Sequence, residues 1–277
     1  MFHTPVLPVS AVAADQMDHS ARINLAGRQR MLTQRMAKAV CFFMAGIEPG
    51  RQSDMAWLAE NEFRTALGTL RDGEPTLGIG PATEPEVLAQ LQEIDEMFQT
   101  YGAAVQQLIH GDWHTIVVAQ LLALNPEVLA ASHEAVQLMQ ASAGDNGKDP
   151  AFAKTVNVAG RQRMLSQLMS KTFCFVKLGI DVAAQRERLE KAMSDFDTAL
   201  KDLQTGSAAL GLIEPPNSLA RSQLERVAQT WAEFRAPLDR AVRGDPITPD
   251  DIAIIAGLNE RLLSESNTVV KMYVPAR

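Results

Sequence analysis

Residues 23–47, INLAGRQRMLTQRMAKAVCFFMAGI, recur 133 positions later as residues 156–180, VNVAGRQRMLSQLMSKTFCFVKLGI, with no gap inside the block. Both copies contain A-G-R-Q-R-M-L, followed by Gln, Met, Lys, Cys-Phe and a closing Gly-Ile at matching places. An internal duplication at a long period indicates that one structural unit occurs twice. The 277-residue chain is therefore predicted to contain two units of similar size.

The composition favours a helical globular protein. Hydrophobic residues make up 46% of the chain and charged residues 21%, which is ordinary for a globular domain. Ala, Leu, Gln, Glu, Met and Arg are abundant, and only 2 tyrosines occur. The net charge of −7, without an extended basic patch, argues against a nucleic-acid partner. No stretch reaches the roughly 18 uncharged apolar residues expected of a membrane span.

The helical periodicity and the capping signals predict four helices in each copy. Pro126 is expected to kink or interrupt one helix, and Pro237 to bend another. Four helices joined by short loops form an antiparallel bundle. The predicted fold is thus all-α: two tandem antiparallel four-helix bundles, residues 15–144 and 149–277, related by a pseudo-two-fold axis. The expected helices span about 15–46, 53–70, 83–110, 115–140, 149–179, 181–203, 218–243 and 248–273.

Residues 1–14 are predicted to be a flexible terminus or the remnant of a signal peptide. The segment MFHTPVLPVSAVAA ends in A-V-A-A, which resembles a signal-peptidase site, but it has no Lys or Arg and contains two prolines. If the segment is an export signal, the protein is periplasmic, and otherwise it is cytoplasmic.

The repeated helix has two distinct faces. One is apolar and changes conservatively between the copies, as a bundle core does. The other mixes polar, sulfur-containing and small residues, and a solvated face of this kind would be expected to drift, yet it is identical in the two copies. Its residues are Gly27, Arg30, Met31, Gln34, Lys38 and Cys41, and their equivalents are Gly160, Arg163, Met164, Gln167, Lys171 and Cys174.

The identical face predicts a contact between the two repeated helices. Gly27 and Gly160 would allow a close approach, which brings Arg30 and Arg163 together. Two guanidinium groups held out of water repel unless an anion lies between them. A small planar oxyanion such as nitrate matches their geometry, and Gln34 and Gln167 would add amide donors. The alternative is a structural or adaptor bundle whose arginines make protein–protein contacts.

The remaining candidate residues give weaker signals. Cys41 and Cys174 would lie close enough on this interface for a disulfide, but small buried hydrophobes are the more common role, and that role is favoured here. His110 and His114 have i, i+4 spacing, but Gly111 between them breaks the helix that a metal site would need. No nucleophile–base constellation or Gly-rich phosphate loop is recognisable, so neither an enzyme nor a cofactor is expected.

The motif I-N-x-A-G-R-Q-R-M-L-[ST]-Q-x-M resembles the signature helix of PilJ-type sensor domains, the N-terminal domains of type IV pili methyl-accepting chemotaxis transducers. It is also similar to the sensor helix of bacterial nitrate/nitrite sensor kinases, and the two-bundle arrangement resembles the nitrate-sensing domain of a transcription antiterminator. The likeness is specific over about 25 residues in each copy. It implies a periplasmic four-helix bundle that binds nitrate between the first helices, through the arginines at the positions of Arg30 and Arg163.

The resemblance implies a non-enzymatic sensor that signals to a partner protein such as a sensor kinase, chemoreceptor or transporter. The chain departs from the family in having no recognisable transmembrane helix or output domain. Nitrate sensor kinases also carry other residues where Arg28 stands, so the ligand could differ, with nitrite as the second candidate. The predicted ligand-binding residues are Arg30, Arg163, Gly27, Gly160, Gln34, Gln167, Arg28 and Arg161.

Overall fold

The computed structural model describes residues 11–145 and 150–273, and this part of the chain is all-α, as predicted. It contains eight long helices and no strand; 85% of the structure is helical. The eight-helix order agrees with tandem helical bundles. The helices are α1 (Ala11–Met44), α2 (Pro49–Asp72), α3 (Pro85–Ile109), α4 (Thr115–Asp145), α5 (Pro150–Lys177), α6 (Val182–Thr205), α7 (Ser218–Arg243) and α8 (Pro249–Tyr273).

The turn that follows each repeated helix has the same geometry in both copies. Glu48 before α2 has φ 47° and Asp181 before α6 has φ 49°, so both adopt the left-handed conformation that non-glycine residues rarely take. Proline at the first position then starts α2 at Pro49, four residues before its predicted start at 53. The first helix likewise begins at Ala11, before its predicted start at 15.

Pro126 does not interrupt its helix, contrary to one of the two predicted outcomes. α4 is continuous from Thr115 to Asp145 with Pro126 inside it. Proline removes one backbone hydrogen bond, but a helix held by tertiary packing tolerates that loss. α4 has such support, because it lies along α1 and α3. Pro237 is also contained within the continuous helix α7.

Helices α1 and α5 each belong to two contact surfaces. α1 packs against α2, α3 and α4, while α5 packs against α6, α7 and α8. The two helices also pack against each other, in the most extensive helix–helix contact of the described structure. Each repeated helix therefore contributes one face to its own bundle core and another to the contact between the bundles. The pseudo-two-fold axis itself stays a prediction.

Cys41 and Cys174 form a disulfide between α1 and α5. The favoured expectation, two free buried cysteines, was therefore wrong. Their Cα atoms are 6.1 Å apart, within the range that a disulfide spans. The bond can form because equivalent positions of the two repeated helices face each other. A covalent bond therefore joins the two bundles, in addition to the packing of α1 against α5.

α4 qualifies the expectation that the chain has no membrane span. Among the described helices, its stretch Thr115–Ser142 is long and apolar enough to cross a membrane by length and composition alone. The core helix of a bundle meets the same criteria, and 33% of this apolar window is buried inside the protein. The boundary between the two predicted bundles, at 144–149, and the predicted signal remnant at 1–14 lie largely outside the described residues.

Candidate functional site

Arg30 and Arg163 converge at the contact between α1 and α5. Their exposed fractions are only 1% and 2%, which is unusual for arginine. A Cβ atom placed on Gly27 would lie 3.2 Å from Nη2 of Arg30 and 3.8 Å from Nη2 of Arg163. Both guanidinium groups therefore reach the same point beside a glycine, as the identical face predicted. Gly160 is equally close to its own arginine, with Nη2 of Arg163 3.1 Å from the corresponding position.

Each arginine crosses the interface to an asparagine on the other repeated helix. Nη2 of Arg30 donates a hydrogen bond to Oδ1 of Asn157 at 2.6 Å, and Nη2 of Arg163 donates to Oδ1 of Asn24 at 2.9 Å. Asn24 and Asn157 occupy equivalent positions in the duplication. The two contacts are therefore reciprocal, and they fix the direction in which each guanidinium points.

A second nitrogen of each guanidinium is held by the last helix of a bundle. Nη1 of Arg30 lies 3.1 Å from Nδ1 of His133 on α4, and Nη1 of Arg163 donates to Oδ1 of Asn267 on α8 at 3.0 Å. Arginine can only donate, so Nδ1 of His133 must accept and the imidazole is neutral. Burial and the positive charge of Arg30 lower the pKa of His133, in agreement with a neutral ring.

The two guanidinium groups carry positive charge without a counter-ion among the residues that the structure describes. No carboxylate of the described residues lies within 4.0 Å of Arg30 or Arg163. Burial, together with the charge of Arg163, lowers the pKa of Arg30 to about 9, and burial lowers the pKa of Arg163 to about 10. Both groups therefore remain cationic at neutral pH. Two buried like charges of this kind are destabilising unless an anion accompanies them.

Several polar atoms close to the pair have no partner among the described residues. Nε of Arg30 is one, and both amide atoms of Gln34, one turn further along α1, are others. Gln167 is different, because its Nε2 donates to Oδ1 of Asn259 at 3.2 Å and only its Oε1 is unpartnered. Buried polar atoms normally have hydrogen-bond partners. Nε of Arg30 and Nε2 of Gln34 are therefore free to donate to a bound ligand, and the two glutamine oxygens are free to accept from one.

Arg28 and Arg161 are not brought to the arginine pair. Nη2 of Arg28 binds Glu62 at 2.9 Å, and Nη2 of Arg161 binds Asp195 at 2.7 Å, so each forms an ion pair with the second helix of its own bundle. Both side chains are nearly half exposed. Their charges nevertheless act at a distance: Arg161 contributes to the lowered pKa of Arg30, and Arg28 to that of Arg163.

Sequence reasoning missed four residues that hold the guanidinium groups. Asn24 and Asn157 are identical in the two copies and could have been found from the duplication, although they lie outside the identical face as it was defined. His133 and Asn267 gave no signal, because they differ in type and are offset by 134 rather than 133 positions.

The chain matches the family described as "Type IV pili methyl-accepting chemotaxis transducer N-term", PilJ, over residues 12–124 and again over residues 150–251. These two segments cover most of the chain and coincide with the two copies of the repeat. The chain belongs to the PilJ family. It contains the PilJ domain in tandem, and the converging arginines lie where the first helices of the two PilJ domains meet.

Two chemotaxis proteins of Pseudomonas aeruginosa are similar to this tandem PilJ protein. Methyl-accepting chemotaxis protein McpN is 30% identical over 119 residues, which is 43% of this chain and 22% of McpN. Protein PilJ is 23% identical over 237 residues, which is 83% of this chain and 33% of that protein. The chain thus spans a third or less of the length of these relatives.

Membership of the PilJ family associates the protein with signal sensing and transduction. The relatives are chemotaxis transducers, which are signalling proteins rather than enzymes. Within the described residues, no group of three or more His, Cys, Asp or Glu side chains is placed to hold a metal ion.

Proposed function

We propose that the tandem PilJ protein binds a small oxyanion between Arg30 and Arg163, with nitrate as the first candidate and nitrite as the second. The observation that supports this proposal is the convergence of two buried guanidinium groups without a carboxylate among the described residues. An anion at this point would replace a repulsion by two charge-assisted interactions.

The donors of the arginine pair suit a planar anion. Each guanidinium has five N–H groups. Arg30 uses two of them, toward His133 and Asn157, and its Nε has no partner among the described residues. Arg163 donates to Asn267 and Asn24 and, at 3.4 Å, to the backbone oxygens of Gly160 and Asn24, so most of the free donors belong to Arg30. Guanidinium is planar and binds planar oxyanions through two parallel hydrogen bonds. Because Gly27 and Gly160 have no side chains, the space beside the terminal nitrogens is free of a Cβ atom on either helix.

Anion binding at this interface would favour the conformation in which α1 and α5 are closest. A ligand shifts a conformational equilibrium only if it binds the two states differently, and an anion held by both arginines meets this condition. A partner such as a sensor kinase, chemoreceptor or transporter would then detect the altered contact between the bundles. A periplasmic location agrees with this proposal, because the disulfide between α1 and α5 would persist in an oxidising compartment.

Thermal unfolding in sodium salts tests the proposal. Nitrate at about 100 times its dissociation constant should raise the free energy of unfolding by about 2.7 kcal/mol and Tm by roughly 5 °C or more. Chloride at the same concentration should have no such effect. Arg30→Ala should abolish the nitrate effect. Arg28→Ala is the matched control, because this exposed arginine of the same motif already pairs with Glu62, and its response should equal that of the wild type. A protein that responds to no anion would contradict the proposal and leave the arginines with a structural role.

Gly27→Ala should separate anion binding from stability. The new Cβ would lie 3.2 Å from Nη2 of Arg30, so the guanidinium must shift away from the point where the two arginines meet. We expect nitrate affinity to fall about tenfold while stability stays equal or rises by up to about 1 kcal/mol, because alanine favours the helix. Titration calorimetry and urea unfolding measure the two quantities.

Gly68→Ala provides the control for this helix effect. Gly68 lies within α2, and a Cβ placed there would have no neighbour within 4 Å. This variant should gain the same helix stability and bind nitrate normally. Unchanged nitrate affinity in Gly27→Ala would mean that the anion does not bind beside this glycine.

A further inference from the structure

A second candidate site lies between the bundles, at a cavity of about 280 Å³. Its walls come from α4 of the first bundle and from α5 and α6 of the second. Lys171 on α5 contributes the ammonium group of a buried side chain, only 6% exposed, to this mostly apolar space. The apolar walls include Leu121, Leu122, Leu129, Leu165, Leu168 and Phe175.

Lys171 has one hydrogen-bond partner among the described residues. Its Nζ donates to Oδ1 of Asn125 at 2.6 Å. Asn125 is held in this orientation because its own Nδ2 donates to the backbone oxygen of Thr33 and to Oη of Tyr101, both at 3.1 Å. An ammonium group has three donors, and no carboxylate of the described residues pairs with this one. Burial, together with the charge of Arg188, lowers the pKa of Lys171 to about 7, so its ammonium form is only partly populated at neutral pH and has no carboxylate partner among the described residues.

The equivalent lysine of the first repeat, Lys38, has a carboxylate partner and also contacts the sulfur of Met55 at 3.0 Å. Nζ of Lys38 donates to Oδ1 of Asn259 at 2.7 Å, the counterpart of the Asn125 contact, and also to Oε1 of Glu260 at 2.8 Å. Oε2 of Glu260 in turn accepts from Nη2 of Arg35 at 2.8 Å. Lys38 thus has a carboxylate that Lys171 lacks, and a neighbouring arginine occupies the adjoining space.

Several residues that line the cavity differ from their equivalents in the first repeat, and two of them stand at the positions that correspond to Glu260 and Arg35. Pro126 follows Asn125 where Glu260 follows Asn259, so the carboxylate has been replaced by an apolar ring. Leu168 stands where the first repeat has Arg35. Both replacements line the cavity. The site of Lys171 thus has the same lysine and asparagine as the site of Lys38, without its carboxylate and arginine.

We infer that this cavity binds a small apolar monocarboxylate, whose carboxylate takes the position relative to Lys171 that Glu260 takes relative to Lys38. The apolar walls would enclose a body of roughly six to ten carbon atoms, since the volume is at the small end of ligand pockets. Nitrate has no apolar body for the leucine and phenylalanine walls to enclose. The polar lining includes, besides Lys171, the buried amide of Gln185, which has no partner among the described residues. The cavity is separate from the arginine pair, and its ligand does not depend on nitrate binding.

The rim of the cavity favours an anionic ligand. Arg161, Arg188 and Lys191 contribute three positive charges and Asp195 one negative charge. Asp195 is shared, since it lies 2.7 Å from Arg161 and 3.3 Å from Lys191. Arg188 in turn pairs with Asp181 at 3.7 Å, so three basic side chains face two carboxylates. The remaining excess of one positive charge would attract a carboxylate toward the ammonium group of Lys171.

Titration calorimetry with benzoate at pH 6, where the ammonium form of Lys171 predominates, tests this inference on the oxidised chain in buffer without nitrate. Benzoate should bind at least tenfold more tightly than benzyl alcohol, which has the same ring without the charge. Lys171→Met keeps a long apolar side chain and should weaken benzoate binding at least tenfold. Lys177→Met makes the same change at an exposed lysine of the same helix and should leave benzoate binding unchanged.

A second variant tests the comparison between the repeats directly. Pro126→Glu combined with Leu168→Arg installs the residues that surround Lys38, and it should abolish benzoate binding while nitrate stabilisation is retained. Circular dichroism melting establishes that each variant folds. Equal affinity for benzoate and benzyl alcohol, unchanged binding in Lys171→Met, or no benzoate binding by the wild type would overturn the inference. Benzoate binding that is lost in Arg30→Ala but kept in Lys171→Met would also overturn it, because the carboxylate would then bind at the arginine pair.

Discussion

Breaking the disulfide between Cys41 and Cys174 is expected to lower the free energy of unfolding by about 5 kcal/mol, according to the loop-entropy relation for cross-linked chains. The two cysteines are 133 residues apart, so the bond closes a long loop in the unfolded chain and restricts its entropy strongly. It also joins α1 to α5 directly. Reduction should therefore destabilise the contact between the bundles as well as the chain as a whole.

Urea unfolding of the oxidised and the reduced protein measures this effect. The sulfur atoms are buried, with Cys41 0% and Cys174 2% exposed, so the protein should be reduced while unfolded and then refolded. The double variant Cys41→Ala/Cys174→Ala is the control, because it removes the bond permanently and should resemble the reduced wild type. A difference below about 1 kcal/mol between oxidised and reduced protein would mean that the bond contributes little, well under what the relation gives.

Arg163→Met is expected to stabilise the ligand-free protein by about 1–2 kcal/mol and to abolish its response to nitrate. The substitution removes a buried charge without a carboxylate partner and relieves the repulsion with Arg30. It also removes the hydrogen bonds to Asn24 and Asn267, which offsets part of the gain. Opposite effects on stability and on ligand response are expected where a binding site is maintained at the expense of stability.

Urea unfolding in nitrate-free buffer checks the stability of this variant. Arg28→Met is the matched control: its exposed ion pair with Glu62 should contribute less than about 1 kcal/mol. If Arg163→Met instead lowers the free energy of unfolding by more than about 1 kcal/mol, the arginine holds the helices together through its hydrogen bonds and requires no anion.

The helical architecture could be predicted because the duplication and the helical periodicity agree with each other. The site was only partly accessible to the same reasoning. Identity between the copies singled out Arg30 and Arg163, and the structure places both at the contact between α1 and α5. The same identity suggested Arg28 and Arg161 as ligand contacts, yet the structure shows them in ion pairs within their own bundles. A residue can remain identical because each copy needs the same internal ion pair.

The disulfide, the other partners of the arginines and the surroundings of Lys171 depend on distances between helices, which no sequence pattern specifies. The disulfide requires Cα atoms about 6 Å apart, and helix periodicity does not specify how closely two helices approach. The partners His133 and Asn267 are reached across the fold and differ between the copies. Lys171 and Lys38 are equivalent lysines of the duplication, yet their surroundings differ. The residues that distinguish the two sites, Pro126 and Leu168 among them, lie at other positions of the chain.

The contact between α1 and α5 has a consequence for how a cell could use this protein. If the two arginines of an anion site at this contact belonged to separate chains, the site would be complete only after the chains associate. Its occupancy by ligand would then vary with protein concentration. In the proposed site, Arg30 and Arg163 belong to one chain and a covalent bond crosses the interface between their helices. The effective concentration of one arginine near the other is therefore set by geometry and is unaffected by dilution. A ligand that binds between these helices would be detected with the same sensitivity however few copies of the protein the cell contains.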